Sequence, residues 1–90
     1  MIKIIKIKRI CAEILKENRF EFKYFNGITW IDINGGSVGF LYNNTNEIII
    51  QDEKWSSLVK KYNNNSKDEI LIHIMNQLLN VEKDFTVKYV

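Results

Sequence analysis

Two hydrophobic periods divide the chain. Ile4, Ile7, Ile10, Cys11, Ile14 and Leu15 recur at helical spacing and fall within one arc of about 140°, with Lys6, Arg9, Glu13, Lys16 and Glu17 opposite. A period-two reading of the same segment scatters lysines and isoleucines over both faces. The spacing therefore predicts a helix over residues 3–18, although its many β-branched residues lower the intrinsic propensity.

From Phe20 the period changes to two. Asn26-Gly27 stands between alternating apolar residues, and a type I′ turn needs positive φ at both of its central positions. A turn there pairs Phe25 with Ile28, Tyr24 with Thr29, Lys23 with Trp30, Phe22 with Ile31 and Phe20 with Ile33. Taking Gly35-Gly36 as the next turn pairs Ile33 with Val38 and Ile31 with Phe40. The inner face then holds Phe20, Phe22, Tyr24, Thr29, Ile31, Ile33, Val38 and Phe40. The outer face shows Glu21, Lys23, Phe25, Ile28, Trp30, Asp32, Gly39 and Leu41. A fourth strand, Glu47–Gln51, follows the turn NNTN, and its three isoleucines supply either face.

Asp52 is placed to cap a helix with the stripe Trp55, Leu58, Val59 and Tyr62. Asn63–Asn65 breaks that helix. Ser66 and Glu69 have the spacing of a capping box. The helix they open carries Ile70, Leu71, Ile72, Ile74, Met75, Leu78 and Leu79 over about half its circumference, the width of a central core helix. Phe85–Val90 alternates as a last, edge strand. The outline is a single α+β domain over residues 1–90: an N-terminal helix, a four-stranded antiparallel meander, two helices and a short C-terminal strand.

Composition narrows what such a domain can do. Ninety residues with 46% apolar content suit one ordered domain of modest stability. The surplus of Asn, Lys and Ile matches AT-rich coding, as in a low-GC bacterium or its phage. Net charge is +2, and residues 1–19 carry six basic against two acidic side chains. That is a mildly basic segment, short of the clustering of a dedicated nucleic-acid binder. Lysines interrupt the first residues every two or three positions, leaving no signal-peptide core, so a cytoplasmic location is expected. With one cysteine, no intrachain disulfide or cysteine-based zinc site can form.

The residues that invite a catalytic reading have plainer ones. Gly35-Gly36-Ser37-Val38-Gly39 lacks the phosphate-loop spacing, and a strand rather than a helix follows it. His73 is the only histidine. It falls on a polar helix face with Glu69, Asn76, Gln77 and Asn80, where no nucleophile accompanies it. Cys11 lies on the apolar arc of the first helix, as a buried thiol does. Asp52-Glu53 and Asp68-Glu69 stand at helix starts and complement the dipole. No enzyme and no cofactor or metal is expected.

Two interaction surfaces remain. Phe25, Ile28, Trp30 and Leu41 are neighbours on the outer sheet face, where either a helix or another molecule must cover them. A protein partner or a second copy of the chain is the expected occupant. The alternative is nucleic acid held by Lys6, Arg9 and Lys16. The order of helix, antiparallel strands and helix resembles the double-stranded RNA-binding domain in outline, but the last helix begins SKDE where that family has a lysine-rich motif. The order of helix, meander and two helices resembles small phage-borne anti-CRISPR proteins that block a Cas nuclease. That resemblance implies a protein-binding inhibitor directed at a host defence complex. DNA-mimicking members are strongly acidic, so it implies a protein or guide-RNA contact here.

Overall fold

In the computed structural model, which describes residues 2–62 and 66–90, helix α1 (Ile2–Glu17) opens the chain. Ile7, Ile10, Cys11 and Ile14 are buried along one side of it, as their spacing requires. Ile4 departs from expectation. It lies beyond the well-covered part of the helix and is mostly exposed, at the rim of a cleft shared with Ile72 and His73.

Four strands follow: β1 (Phe20–Phe25), β2 (Ile28–Ile33), β3 (Gly36–Tyr42) and β4 (Glu47–Ile50). Asn26 and Gly27 take φ of 51° and 74°, the pair that a type I′ turn demands. The β1–β2 register runs from Phe25↔Ile28 to Phe20↔Ile33, as the sequence predicts.

The second hairpin is a correction. Its turn is Asn34-Gly35, with φ of 54° and 84°, in place of Gly35-Gly36. After Gly, Asn is among the residues that most readily take positive φ. Here the Asn34 side chain accepts from the Arg19 backbone N–H at 2.9 Å and donates to Asn18 Oδ1 at 2.9 Å. Ile33 therefore pairs with Gly36, and Val38 is taken up as a β-bulge between the Asp32↔Ser37 and Ile31↔Gly39 pairs. Beyond the bulge Thr29 pairs with Leu41 and Trp30 with Phe40. Phe40 leaves the predicted core for the outer face, and Leu41 moves inward, where it is only 4% exposed.

Helices α2 (Asp52–Val59) and α3 (Lys67–Leu79) then carry the chain back to β5 (Thr86–Tyr89). This last strand lies parallel to β4, with Glu47 beside Thr86 and Ile50 beside Tyr89. The sheet is therefore five-stranded and mixed, in the order β1-β2-β3-β4-β5, rather than a purely antiparallel meander. The return through two helices accounts for the parallel pairing, since a tight hairpin gives only antiparallel neighbours. Residues 63–65, expected to break α2 from α3, lie outside the described residues.

The capping expectations need revision too. Asp52 is the first residue of α2 rather than its cap. Its carboxylate accepts from Ser56 Oγ at 2.6 Å and Lys67 Nζ at 2.8 Å, and those bonds hold its pKa below the usual range, Lys67 first. Ser66 precedes α3 with φ −132° and ψ 36°, and its hydroxyl makes no capping bond. The far end of α3 closes on Asn80 in the left-handed region, a common helix stop.

One hydrophobic core joins all three helices to one side of the sheet. Ile31, Ile33, Leu41, Ile48 and Ile50 meet Ile7, Ile10, Cys11 and Ile14 of α1, Trp55 and Val59 of α2, and Ile70, Leu71, Ile74 and Met75 of α3. Trp55 satisfies its indole N–H on the Lys67 carbonyl at 3.0 Å. Burial raises the Cys11 thiol pKa to about 11, the state of an inert core thiol.

Gly39 fixes how close β3 and β4 can lie. A Cβ there would stand 2.3 Å from the Ile49 carbonyl oxygen and 2.9 Å from the Ile50 Cα, both backbone atoms that cannot rotate away. Gly39→Ala should therefore destabilise the fold by about 3 kcal/mol in chemical denaturation. A neutral result would show that the two strands have room to separate.

Candidate docking face

The sheet register decides which side chains share the face opposite the helices. One row crosses all five strands as Lys23, Trp30, Phe40, Ile49 and Lys88, each directly beside the next. A second row holds Phe25, Ile28 and Tyr42. None of these residues belongs to the buried core or to the side chains packed against it among the described residues.

The centre of this face is aromatic. Trp30 and Phe40 have ring centroids 5.1 Å apart at 50°, and Tyr42 meets Phe40 edge-on at 5.6 Å. Both are favourable aromatic geometries, so Phe40 is flanked on two sides by rings that shield it. Solvent still reaches the outer members: Trp30 is 37% exposed, Tyr42 47% and Phe25 68%.

Charges of both signs frame the rings. Lys23 Nζ pairs with the nearly buried Asp32 at 3.1 Å, and Lys88 Nζ with Glu47 at 2.7 Å. Arg19 and Glu21 pair at 3.2 Å beside the first row. The rim is thus close to neutral around an apolar centre.

Of the predicted docking residues, the structure brings Phe25, Ile28 and Trp30 together on this face. Leu41 belongs to the core instead, displaced by the bulge at Val38. Phe40 and Tyr42 complete the patch and escaped sequence reasoning, while Ile49 joins it by settling a register that the sequence leaves open between Ile49 and the pair Ile48 and Ile50. Asn34-Gly35, a second Asn-Gly step in the same stretch, signals the turn, but only the bulge at Val38 turns Phe40 and Tyr42 outward, and no local signal marks it.

The other candidates are spread apart. Lys6, Arg9 and Lys16 are all exposed on α1, but Glu13 and Glu17 occupy the same side of the helix, giving a stripe of mixed sign. Glu17 also accepts a hydrogen bond from the Tyr62 hydroxyl, which raises the Tyr62 pKa. His73 lines a shallow cleft between α1 and α3 with Ile4, Ile7, Lys8, Glu69, Ile72 and Asn76, none of which carries a hydroxyl or thiol. Among the described residues, no three His, Cys, Asp or Glu side chains cluster as a metal site would require. No described helix is long and apolar enough to cross a membrane.

No protein-family model matches the chain, and neither a curated protein nor a solved structure matches it.

The two faces should respond differently to truncation. Leu41→Ala should cost about 3 kcal/mol of folding stability, the loss of a packed core side chain. Trp30→Ala should cost about 1 kcal/mol, the worth of one aromatic pair on an open face. Urea unfolding of the two variants measures both, and a larger loss for Trp30 would mean that the outer aromatics are core.

Proposed function

We propose that the chain is a non-enzymatic protein-binding module that docks its partner on the outer sheet face around Trp30 and Phe40. The observation that carries this reading is the one-sided packing of the helices. All three bury their apolar sides against the same face, leaving a contiguous aromatic group on the other. Burying a large apolar side chain gains roughly 1.5–3 kcal/mol, and Trp and Tyr are the residues most often found at interface hot spots. A small group of such anchors inside a polar rim is the anatomy of a specific protein interface.

The resemblance in outline to phage-borne anti-CRISPR proteins extends the proposal to inhibition of a host defence complex, with a Cas effector as the first partner to assay. The mixed-sign rim argues for a protein surface over a phosphate backbone, which would require an excess of cationic groups.

Purified chain should retain a discrete host protein, or a purified Cas effector, on an affinity support. Trp30→Ser and Phe40→Ser should each weaken that retention at least tenfold while leaving the circular dichroism spectrum unchanged. Equal retention by the folded variants would move the binding site elsewhere.

A further inference from the structure

The sheet has a second unpartnered feature, independent of the aromatic face. Strand β1 stands at one end of the strand order and, among the described residues, pairs only with β2. It is six residues long, contains no proline and carries no bulge against β2, so of the usual devices that spoil an edge for further pairing it has only the charges of Glu21 and Lys23.

The hydrogen-bonding phase of this edge follows from its hairpin. The pair flanking a two-residue turn, Phe25↔Ile28, is a hydrogen-bonded pair, and every second residue repeats it. At the other end of the strand, Asn34 N–H donates to the Arg19 carbonyl at 2.8 Å, which confirms that the odd-numbered residues face β2. The N–H and C=O groups of Phe20, Phe22 and Tyr24 therefore point away from the sheet along its free edge.

Side chains make the same edge self-complementary. In an antiparallel pair, opposed residues lie on the same sheet face, and a two-fold axis through Phe22 opposes Glu21 to Lys23 of a second copy, twice over. It also opposes Phe22 to Phe22 and Phe20 to Tyr24. The even residues then form the hydrogen-bonded pairs, matching the phase already set, with about six inter-strand bonds. Glu21 and Lys23 fall at the closer, non-hydrogen-bonded positions, where opposite charges stabilise and like charges repel. An axis through Lys23 would oppose lysine to lysine, and one through Glu21 glutamate to glutamate.

The inner side of β1 is also left incomplete by its own chain. Phe20 and Phe22 are only half-buried, and Tyr24 is 66% exposed. Cross-strand aromatic pairs with a second copy would cover them.

We propose that the chain forms a two-fold symmetric dimer by antiparallel pairing of β1 with β1, centred on Phe22, which joins two five-stranded sheets into one. Each Lys23 then lies between its own Asp32 and the second copy's Glu21.

Charge reversal in trans tests this register. Glu21→Lys puts lysine against lysine at both contacts, and Lys23→Glu puts glutamate against glutamate. By light scattering coupled to size exclusion, the unmodified chain should be a dimer, and each variant should dissociate about tenfold or more readily. Mixing the two variants pairs every lysine with a glutamate and should restore a heterodimer. Tyr24→Pro gives a control that leaves the β2 ladder whole, because the N–H it removes faces the free edge; it should also yield folded monomer. Trp30→Ser should leave the dimer intact. A monomeric unmodified chain, a mixture no more dimeric than its components, or loss of the dimer with Trp30→Ser would each overturn the proposal.

Discussion

The organisation of this protein hangs on one extra residue in β3. A strand alternates its side chains with period two, so a single inserted position exchanges its faces for everything downstream. Val38 is that position. It is accommodated between the Asp32↔Ser37 and Ile31↔Gly39 pairs, and its carbonyl accepts the Gln51 N–H at 2.8 Å as the chain leaves β4. Because of it, Leu41 joins Ile31, Ile48 and Ile50 under the helices while Phe40 and Tyr42 join Trp30 outside. Next to it, at position 39, the β3 and β4 backbones lie so near that only glycine fits. Core composition and the aromatic face thus share a common origin.

This origin also marks where the sequence stops being legible. The β1–β2 hairpin could be read residue by residue because Asn26-Gly27 and the alternation around it are local signals that agree. The apolar arcs of α1 and α3 were legible for the same reason, and Ile70, Leu71, Ile74 and Met75 are fully buried as a central helix requires. The second hairpin offered two turns one residue apart, Asn34-Gly35 and Gly35-Gly36. Only the contacts of Asn34 with Arg19 and Asn18 discriminate between them, and those contacts exist only once β1 and β2 are paired. Moving the turn by one residue leaves the two faces of β3 unchanged; the bulge at Val38 exchanges them, and Phe25, Ile28 and Trp30 keep the outer face because they precede it. Leu41, which follows it, does not.

The place of β5 was illegible for a different reason. Nothing in Thr86–Tyr89 names a neighbour, since a parallel pair is specified by the path of the chain between the strands. In the folded protein several contacts hold it: Thr86 N–H to the Asn46 carbonyl at 2.8 Å, Val90 N–H to the Ile50 carbonyl at 3.0 Å, and Lys67 Nζ 4.3 Å above the Tyr89 ring. The Tyr89 hydroxyl also donates to Asp68, and burial together with that carboxylate raises its pKa. The Lys67 and Asp68 contacts tie the strand to the start of α3, and the Asp52 N–H, donating to the Val90 carbonyl at 3.1 Å, ties its end to the start of α2.

The two ends of the sheet are consequently unlike. At β5 the edge is four residues long and its last turn of chain is bonded into the α2 and α3 starts. At β1 the edge is longer, its inner aromatics are half-covered, and its outer side chains merge directly into the row of Lys23, Trp30 and Phe40. A 90-residue chain has little apolar surface to spare, because small domains bury a smaller share of what they expose on unfolding. Here Phe25, Trp30, Phe40 and Tyr42 stand outside the core, and their mutual stacking covers them only in part. Open apolar surface and open backbone therefore lie at the same end of the molecule, on adjoining strands, while the helices stabilise the opposite side. That separation sets the aromatic face and the β1 edge apart from the packing that holds the fold together.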